Sequence, residues 1–200
     1  MDMETVSTPE KEKQSTDALG FVFIGPSAAG KSTLRDEICR RGIHDHSFVP
    51  FRPLTSRQRR PGEDEYTYVS DEELNKLSNS KDTLFSNTYH GNRFLTPWPS
   101  ALEPTQHYIY IYSPEAAKRL KDTFPNTKII QIVPPELSMI EDRMKARDPS
   151  IDEAELQQRL LDTETEIPEG KQIADLVFVN ELPLEQSVKL LSAQITKLIT

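Results

Sequence analysis

Residues Gly25, Pro26, Ser27, Ala28, Ala29, Gly30, Lys31, Ser32 and Thr33 fit the pattern G-x-x-x-x-G-K-[ST] without a gap. The residue types suit a polyphosphate. Glycines let the backbone bend around phosphate oxygens, and successive N–H groups at a helix N-terminus supply partial positive charge. Lys31 is long enough to reach the outer phosphates, and the Ser32 hydroxyl is a ligand type that Mg²⁺ accepts. The pattern implies nucleotide binding. It does not name a reaction, because GTPases, ATPases and kinases share this loop, so a second site has to decide.

Two further groups of cations are candidates for that site. Arg57, Arg59 and Arg60 fall within four positions, with Tyr66 and Tyr68 shortly after them. Guanidinium groups bind phosphate in a planar, bidentate fashion, and a phenol can add a hydrogen bond. Taken alone, the segment reads as a solvated basic turn; beside a phosphate loop it reads as an anion site. Arg143 and Arg147 stand one helical turn apart and therefore on one face, with Arg159 further on. They are either a phosphate-facing set or surface charges balanced by Glu141 and Asp142.

The surrounding pattern predicts the elements that carry these groups. An apolar run over 19–24 ends at the first loop glycine, as a strand buried on both faces does. A helix is expected from about Lys31 to Arg41. Apolar segments at 107–112, 128–133 and 174–179 alternate with helical stretches at 114–121, 136–145 and 152 to about 165. Parallel strands need crossover connections, so this order predicts an α/β fold of the P-loop type, a parallel sheet flanked by helices. A last helix from about Pro183 carries Leu184, Val188, Leu191, Ile195 and Leu198 on one stripe, which predicts docking on the core. Residues 49–104 break the alternation and read as a small inserted lobe, and residues 1–17 hold little to bury and read as a flexible tail.

Composition limits the alternatives. The 200 residues suffice for one domain, expected over 18–200, and 24 basic against 32 acidic side chains leave a net charge of −8. That balance argues against nucleic acid or an anionic membrane as a partner, so phosphate must be met by locally clustered cations. No apolar run is long enough to span a bilayer, and a single cysteine, Cys39, excludes an internal disulfide. The cytoplasm is the expected compartment. Oligomeric state has no signature in the sequence. His44, His46, His90 and His107 have no zinc-like spacing, and Trp98 between two prolines reads as a packing residue.

From about residue 19 to the C-terminus the chain resembles the guanylate kinase family. The resemblance is carried by the loop at 25–33, by Thr55, Arg57, Arg60, Gly62 and Glu63 with Tyr66 after them, and by His90-Gly91-Asn92. Pro134-Pro135, Arg143, Arg147, Arg159-Leu160, Asp175 and Asn180 continue it in the same order. The resemblance implies a core of 18–48 and 105–200 that binds ATP with Mg²⁺, an acceptor-binding lobe of 49–104, and a helical lid of about 143–162. It implies that Arg57, Arg60 and Tyr66 hold the phosphate of a small phosphorylated substrate. It also implies that Lys31, Arg143, Arg147 and Arg159 surround the transferring phosphoryl group, with Ser32 on Mg²⁺.

The chain departs from the family where guanine is read. Counting from Gly91-Asn92 and Pro134 puts Phe85, Tyr110 and Tyr112 at positions where that family carries carboxylates, and Pro53 where it carries a serine. An aromatic ring cannot accept from the guanine N1–H and amino group as a carboxylate does. Asn87 and Asn92 are the first candidates for a substitute reader. The expected activity is an ATP-dependent phosphotransferase acting on a nucleoside monophosphate such as GMP. A ribose 1,5-bisphosphate kinase and a noncatalytic phosphopeptide-binding module of guanylate-kinase type are the alternatives.

Overall fold

The computed structural model describes residues 20–59, 64–89, 91–97 and 107–199. The expected tail over 1–17 lies outside the described residues, as do Arg60, Gly62, Glu63, His90 and Trp98. In chain order the first elements are β1 (Gly20–Ile24), α1 (Lys31–Arg41), β2 (Phe48–Pro50), β3 (Leu54–Thr55), β4 (Thr67–Tyr68), α2 (Asp71–Ser78), β5 (Thr83–Tyr89) and β6 (Asn92–Pro97). They are followed by β7 (His107–Ile111), α3 (Pro114–Thr123), β8 (Lys128–Val133), α4 (Ser138–Arg147), α5 (Glu153–Ile173), β9 (Leu176–Val179) and α6 (Leu184–Ile199).

The main sheet is parallel, in the order β2-β7-β1-β8-β9. β1 is central, with Val22 opposite Tyr110 on one side and Ile129 on the other. Phe21, Val22, Phe23 and Ile24 are all fully buried because helices cover both faces. Alternation divides them between two cores. Phe21 and Phe23 pack with Leu34, Ile38, Leu191 and Ile195 from α1 and α6. Val22 and Ile24 pack with Tyr110, Ala116, Ala117 and Leu120 on the α3 side. Cys39 packs against the first cluster, and burial pushes its thiol up to about 12.

A second sheet, in the order β4-β3-β6-β5, forms between residues 54 and 97. Its short helix α2 has no place in the sequence expectation, although Ser70 caps it by accepting from Glu73 N–H and its first turn is acidic. The S-x-x-E pair and acidic turn were the available signal, too local to register against an irregular background. α5 differs in the other direction, running on to Ile173 through Pro168, where the expected end was near 165. A proline inside a helix costs about 3 kcal/mol. Here that cost is met by tertiary anchoring: Gln131 on β8 donates to the Ile167 carbonyl at 2.8 Å, and Gly170 lets the helix approach that same side chain closely. No helix among the described residues is long and apolar enough to cross a membrane.

Candidate phosphoryl-transfer site

The loop from Gly25 to Gly30 joins the C-terminal end of β1 to α1. Two of its glycines are required by backbone and space. Gly25 has φ +129°, and a Cβ there would strike the Ile132 carbonyl of β8. Gly30, the residue before α1, has φ +95°, and a Cβ there would strike the Asn180 amide. That amide donates to the Ala29 carbonyl at 2.9 Å, so a residue following β9 braces the loop. Lys31 Nζ folds back to donate to the Gly25 and Pro26 carbonyls at 2.6 and 2.7 Å. Burial holds its ammonium below the ordinary lysine value; Glu166 and Glu65 oppose that shift, and Arg147 and Arg159 add to it.

A cavity of about 800 Å³ opens in front of the loop. Gly25, Ser27, Ala28, Gly30, Lys31, Ser32 and Thr33 line it from the loop, Arg57 and Tyr66 from the second sheet, and Arg143, Arg147 and Arg159 from α4 and α5. Ala29 is fully buried beneath the loop. Arg143 Nη1 lies 3.4 Å from the Ala28 carbonyl, and Arg147 ends α4 on the same side. Arg159, 6 % exposed, reaches Ser27 Oγ at 3.5 Å and Glu155 at 2.6 Å, while its Nε is enclosed without a hydrogen-bond partner. In the second sheet, Thr55 Oγ1 accepts from the Arg57 backbone N–H and donates to the Arg93 carbonyl, fixing the start of the basic turn. The Arg57 guanidinium then sits 4.8 Å from the centre of the Tyr66 ring. Arg60 lies outside the described residues.

Two contacts between helices α1 and α5 and the segment that carries the second sheet have no local sequence pattern. Ser32 donates to the Glu65 carboxylate, and Tyr89 donates to Glu166 on α5. Burial raises Glu166 above the ordinary carboxylate value, against the Tyr89 hydrogen bond and the Lys31 charge. Tyr89 is likewise raised by burial and by Glu166. Among the described residues there is no cluster of three or more His, Cys, Asp or Glu side chains able to hold a metal. The hydroxyl of Ser32 and the carboxylate of Glu65 are nevertheless oxygen donors of the kind a hard cation selects.

Tyr112 and Phe94 give one wall of the cavity aromatic faces, with further rings behind them. Phe51 packs on Tyr110 at 4.5 Å, Tyr110 on Tyr112 at 5.6 Å, and Phe85 edge-on to Tyr112 at 6.0 Å. Arg119 closes the row 4.8 Å from the Phe85 ring. Phe85, Tyr110 and Tyr112 thus pack as one unit, with Tyr112 and Phe94 on the cavity surface. The Tyr112 hydroxyl shares a 2.8 Å buried hydrogen bond with Thr96, and burial keeps this phenol neutral far above its ordinary range. Asn87 and Asn92 also line the cavity, and Asn87 Oδ1 is enclosed without a hydrogen-bond partner.

Comparison with known proteins gives a consistent result. A family model described as guanylate kinase matches residues 19–198. A guanylate kinase of Streptococcus thermophilus strain CNRZ 1066 is 30 % identical over 176 residues, covering 85 % of this chain and 83 % of its own. One from a Synechococcus strain is 29 % identical over 167 residues, covering 80 % and 89 %. The crystal structure of guanylate kinase from Anaplasma phagocytophilum superposes with a TM-score of 0.66 at 18 % identity, over 92 % of this chain and 87 % of that one, a likeness of fold.

Proposed function

The chain belongs to the guanylate kinase family, and from that premise we propose that it moves the γ-phosphoryl group of ATP to a phosphate oxygen of a small acceptor, with nucleoside monophosphates as the class and GMP the first member. The observation that carries this reading is that one cavity is lined by Lys31 and Ser32 on one side, Arg57 and Tyr66 on another, and Arg143, Arg147 and Arg159 on a third. A binding module for a phosphopeptide has no need of a complete phosphate loop and three further arginines beside it.

In this mechanism the loop N–H groups and Lys31 hold the donor phosphates, with Arg57, Arg60 and Tyr66 on the acceptor phosphate. An acceptor oxygen attacks the γ-phosphorus as the bond to the bridging oxygen breaks, so ADP leaves and a diphosphate forms. No covalent protein intermediate is needed, because transfer depends on alignment and charge neutralisation. Lys31 must trade its two carbonyl partners for phosphate oxygens, whose negative charge favours the ammonium that burial disfavours. Arg143, Arg147 and Arg159 neutralise the transferring group, and residues of about 143–162 act as the lid that excludes water. Ser32, with Glu65 beside it, would hold Mg²⁺, which supplies charge neutralisation at the donor phosphates. The lobe expected over 49–104 holds the acceptor, apart from Val49 and Pro50, which pair in β2 of the core sheet, and 18–48 with 105–200 make the core.

At the base, Phe85, Tyr110 and Tyr112 stand where relatives of this kind would read guanine with carboxylates, and the Asn87 and Asn92 amides are polar groups that line the cavity. An amide both donates and accepts, so it does not impose one edge of a purine. The same wall suits ribose 1,5-bisphosphate, which has no base, and keeps that acceptor as the second reading. A coupled ADP-release assay with GMP, dGMP, the other nucleoside monophosphates and ribose 1,5-bisphosphate tests both. Turnover with GMP supports the first reading and turnover with the sugar bisphosphate alone replaces it by the second. ADP release with no acceptor in the panel refutes both.

A further inference from the structure

The pairing of Arg35 is incomplete. It lies one helical turn beyond Lys31 on α1, on the face that also buries Leu34 and Ile38, and is itself 1 % exposed, the largest fully buried side chain among the described residues. It nevertheless lines the cavity, together with Tyr112 and Ser113 at the end of β7. Its partner is Asp36, whose Oδ1 is 2.8 Å from both Nε and Nη2. One carboxylate oxygen therefore takes two of the guanidinium's nitrogens, and Nη1 is left for another acceptor. The Asp36 side chain is 59 % exposed, so it compensates the buried cation only weakly.

A buried guanidinium beside a polar cavity is stable when an anion completes its hydrogen bonds. On the adjoining wall Tyr112, backed by Tyr110, is a neutral ring, so no carboxylate at either position competes for the group. We infer that Arg35 is an additional anion ligand of the cavity, binding a phosphate oxygen of the acceptor from the α1 side as Arg57 does from the lobe. The inference rests on the proposed kinase reading for the identity of the anion, and on burial and geometry alone for its binding.

Inorganic phosphate, titrated calorimetrically against the full chain with saturating ADP to fill the loop, is the probe, with melting temperature as the control for folding. Arg35→Met keeps the apolar stem and should weaken phosphate binding about 10-fold or more, as loss of a charge-assisted contact does. Asp36→Asn removes the competing carboxylate and should tighten it about 3-fold, with ADP affinity unchanged in both variants. Wild-type chain that binds no phosphate overturns the inference. So does unchanged phosphate affinity in Arg35→Met, including the case where only its melting temperature falls. If Arg35→Met does not fold, Asp36→Asn decides: tighter binding supports the assignment and unchanged or weaker binding rejects it. Phosphate binding that depends on Arg35, in a chain that transfers phosphoryl to no acceptor, would leave the inference standing and sink only the kinase reading.

Discussion

Around the phosphate loop the cavity is built from backbone. Glycines at positive φ turn the chain, Asn180 grips the Ala29 carbonyl, and Lys31 waits on two carbonyls of the loop itself. The facing wall is built from side chains: Tyr112 and Phe94 reach the cavity, with Phe51, Tyr110 and Phe85 packed behind Tyr112. A backbone cradle depends on a few residue identities at fixed spacing, and almost any change ruins it. An aromatic wall depends on volume and contact, so the polar groups that select a base can be exchanged for rings without unmaking the pocket. One end of the cavity can therefore keep its chemistry while the other changes its selectivity.

The largest effect that would test this contrast comes from Lys31→Met, expected to lower kcat by about 100- to 1,000-fold, the scale for one lost electrostatic group at a transferring phosphoryl. Normal turnover in that variant would break the contrast at its stronger end. Stability should respond with the opposite sign. Because burial lowers the folded-state value of Lys31, its charge costs stability at neutral pH, and stability rises as pH climbs from that lowered value toward 10.5. Denaturant titration across alkaline pH should show this rise in the wild type and lose it in Lys31→Met.

Next in size is Arg57→Ala. Loss of a charge-assisted contact of about 2 to 3 kcal/mol should raise the acceptor KM roughly 30- to 150-fold, with the ATP KM little changed. Equal changes in both constants would assign Arg57 to the donor end. The aromatic wall makes a smaller prediction. Competition between GMP and AMP, read as a ratio of kcat/KM, should favour GMP by only about 10- to 100-fold, the range left to shape and stacking. A ratio above roughly 10,000 would mean that a paired polar group still reads guanine, with Asn87 and Asn92 the residues to mutate first.

The smallest expected effect sharpens the boundary between the two halves. Glu166 raises the Lys31 value, so Glu166→Gln should move the alkaline limb of kcat/KM for ATP to lower pH. An unmoved limb in a variant with normal folding would mean that the Glu166 charge does not reach the loop.

How much of this was legible before folding differs by region for a physical reason. The loop at 25–33 is contiguous, so its chemistry is written in adjacent residues, and the strands of the parallel sheet announce themselves as short apolar runs because both faces are covered. Helix ends were less legible. The helix expected to end at about 165 runs on as α5 through Pro168, because anchoring against Gln131 outweighs a local breaker. α2 was written in a single capping pair and was missed.

Counting along the chain could assign Phe85, Tyr110 and Tyr112 to positions, but not reveal that they touch, since strands β5 and β7 meet only in the folded protein. The same holds for Ser32 with Glu65 and Tyr89 with Glu166, pairs separated by 33 and 77 residues, and for Arg35, an unremarkable helix residue until burial leaves it beside the cavity. Local sequence settles what a backbone segment can bind, because spacing and φ are properties of neighbours in the chain. Which charge is buried, and which rings touch beside the cavity, depend on residues brought together across the sheet, and only the tertiary structure supplies those distances.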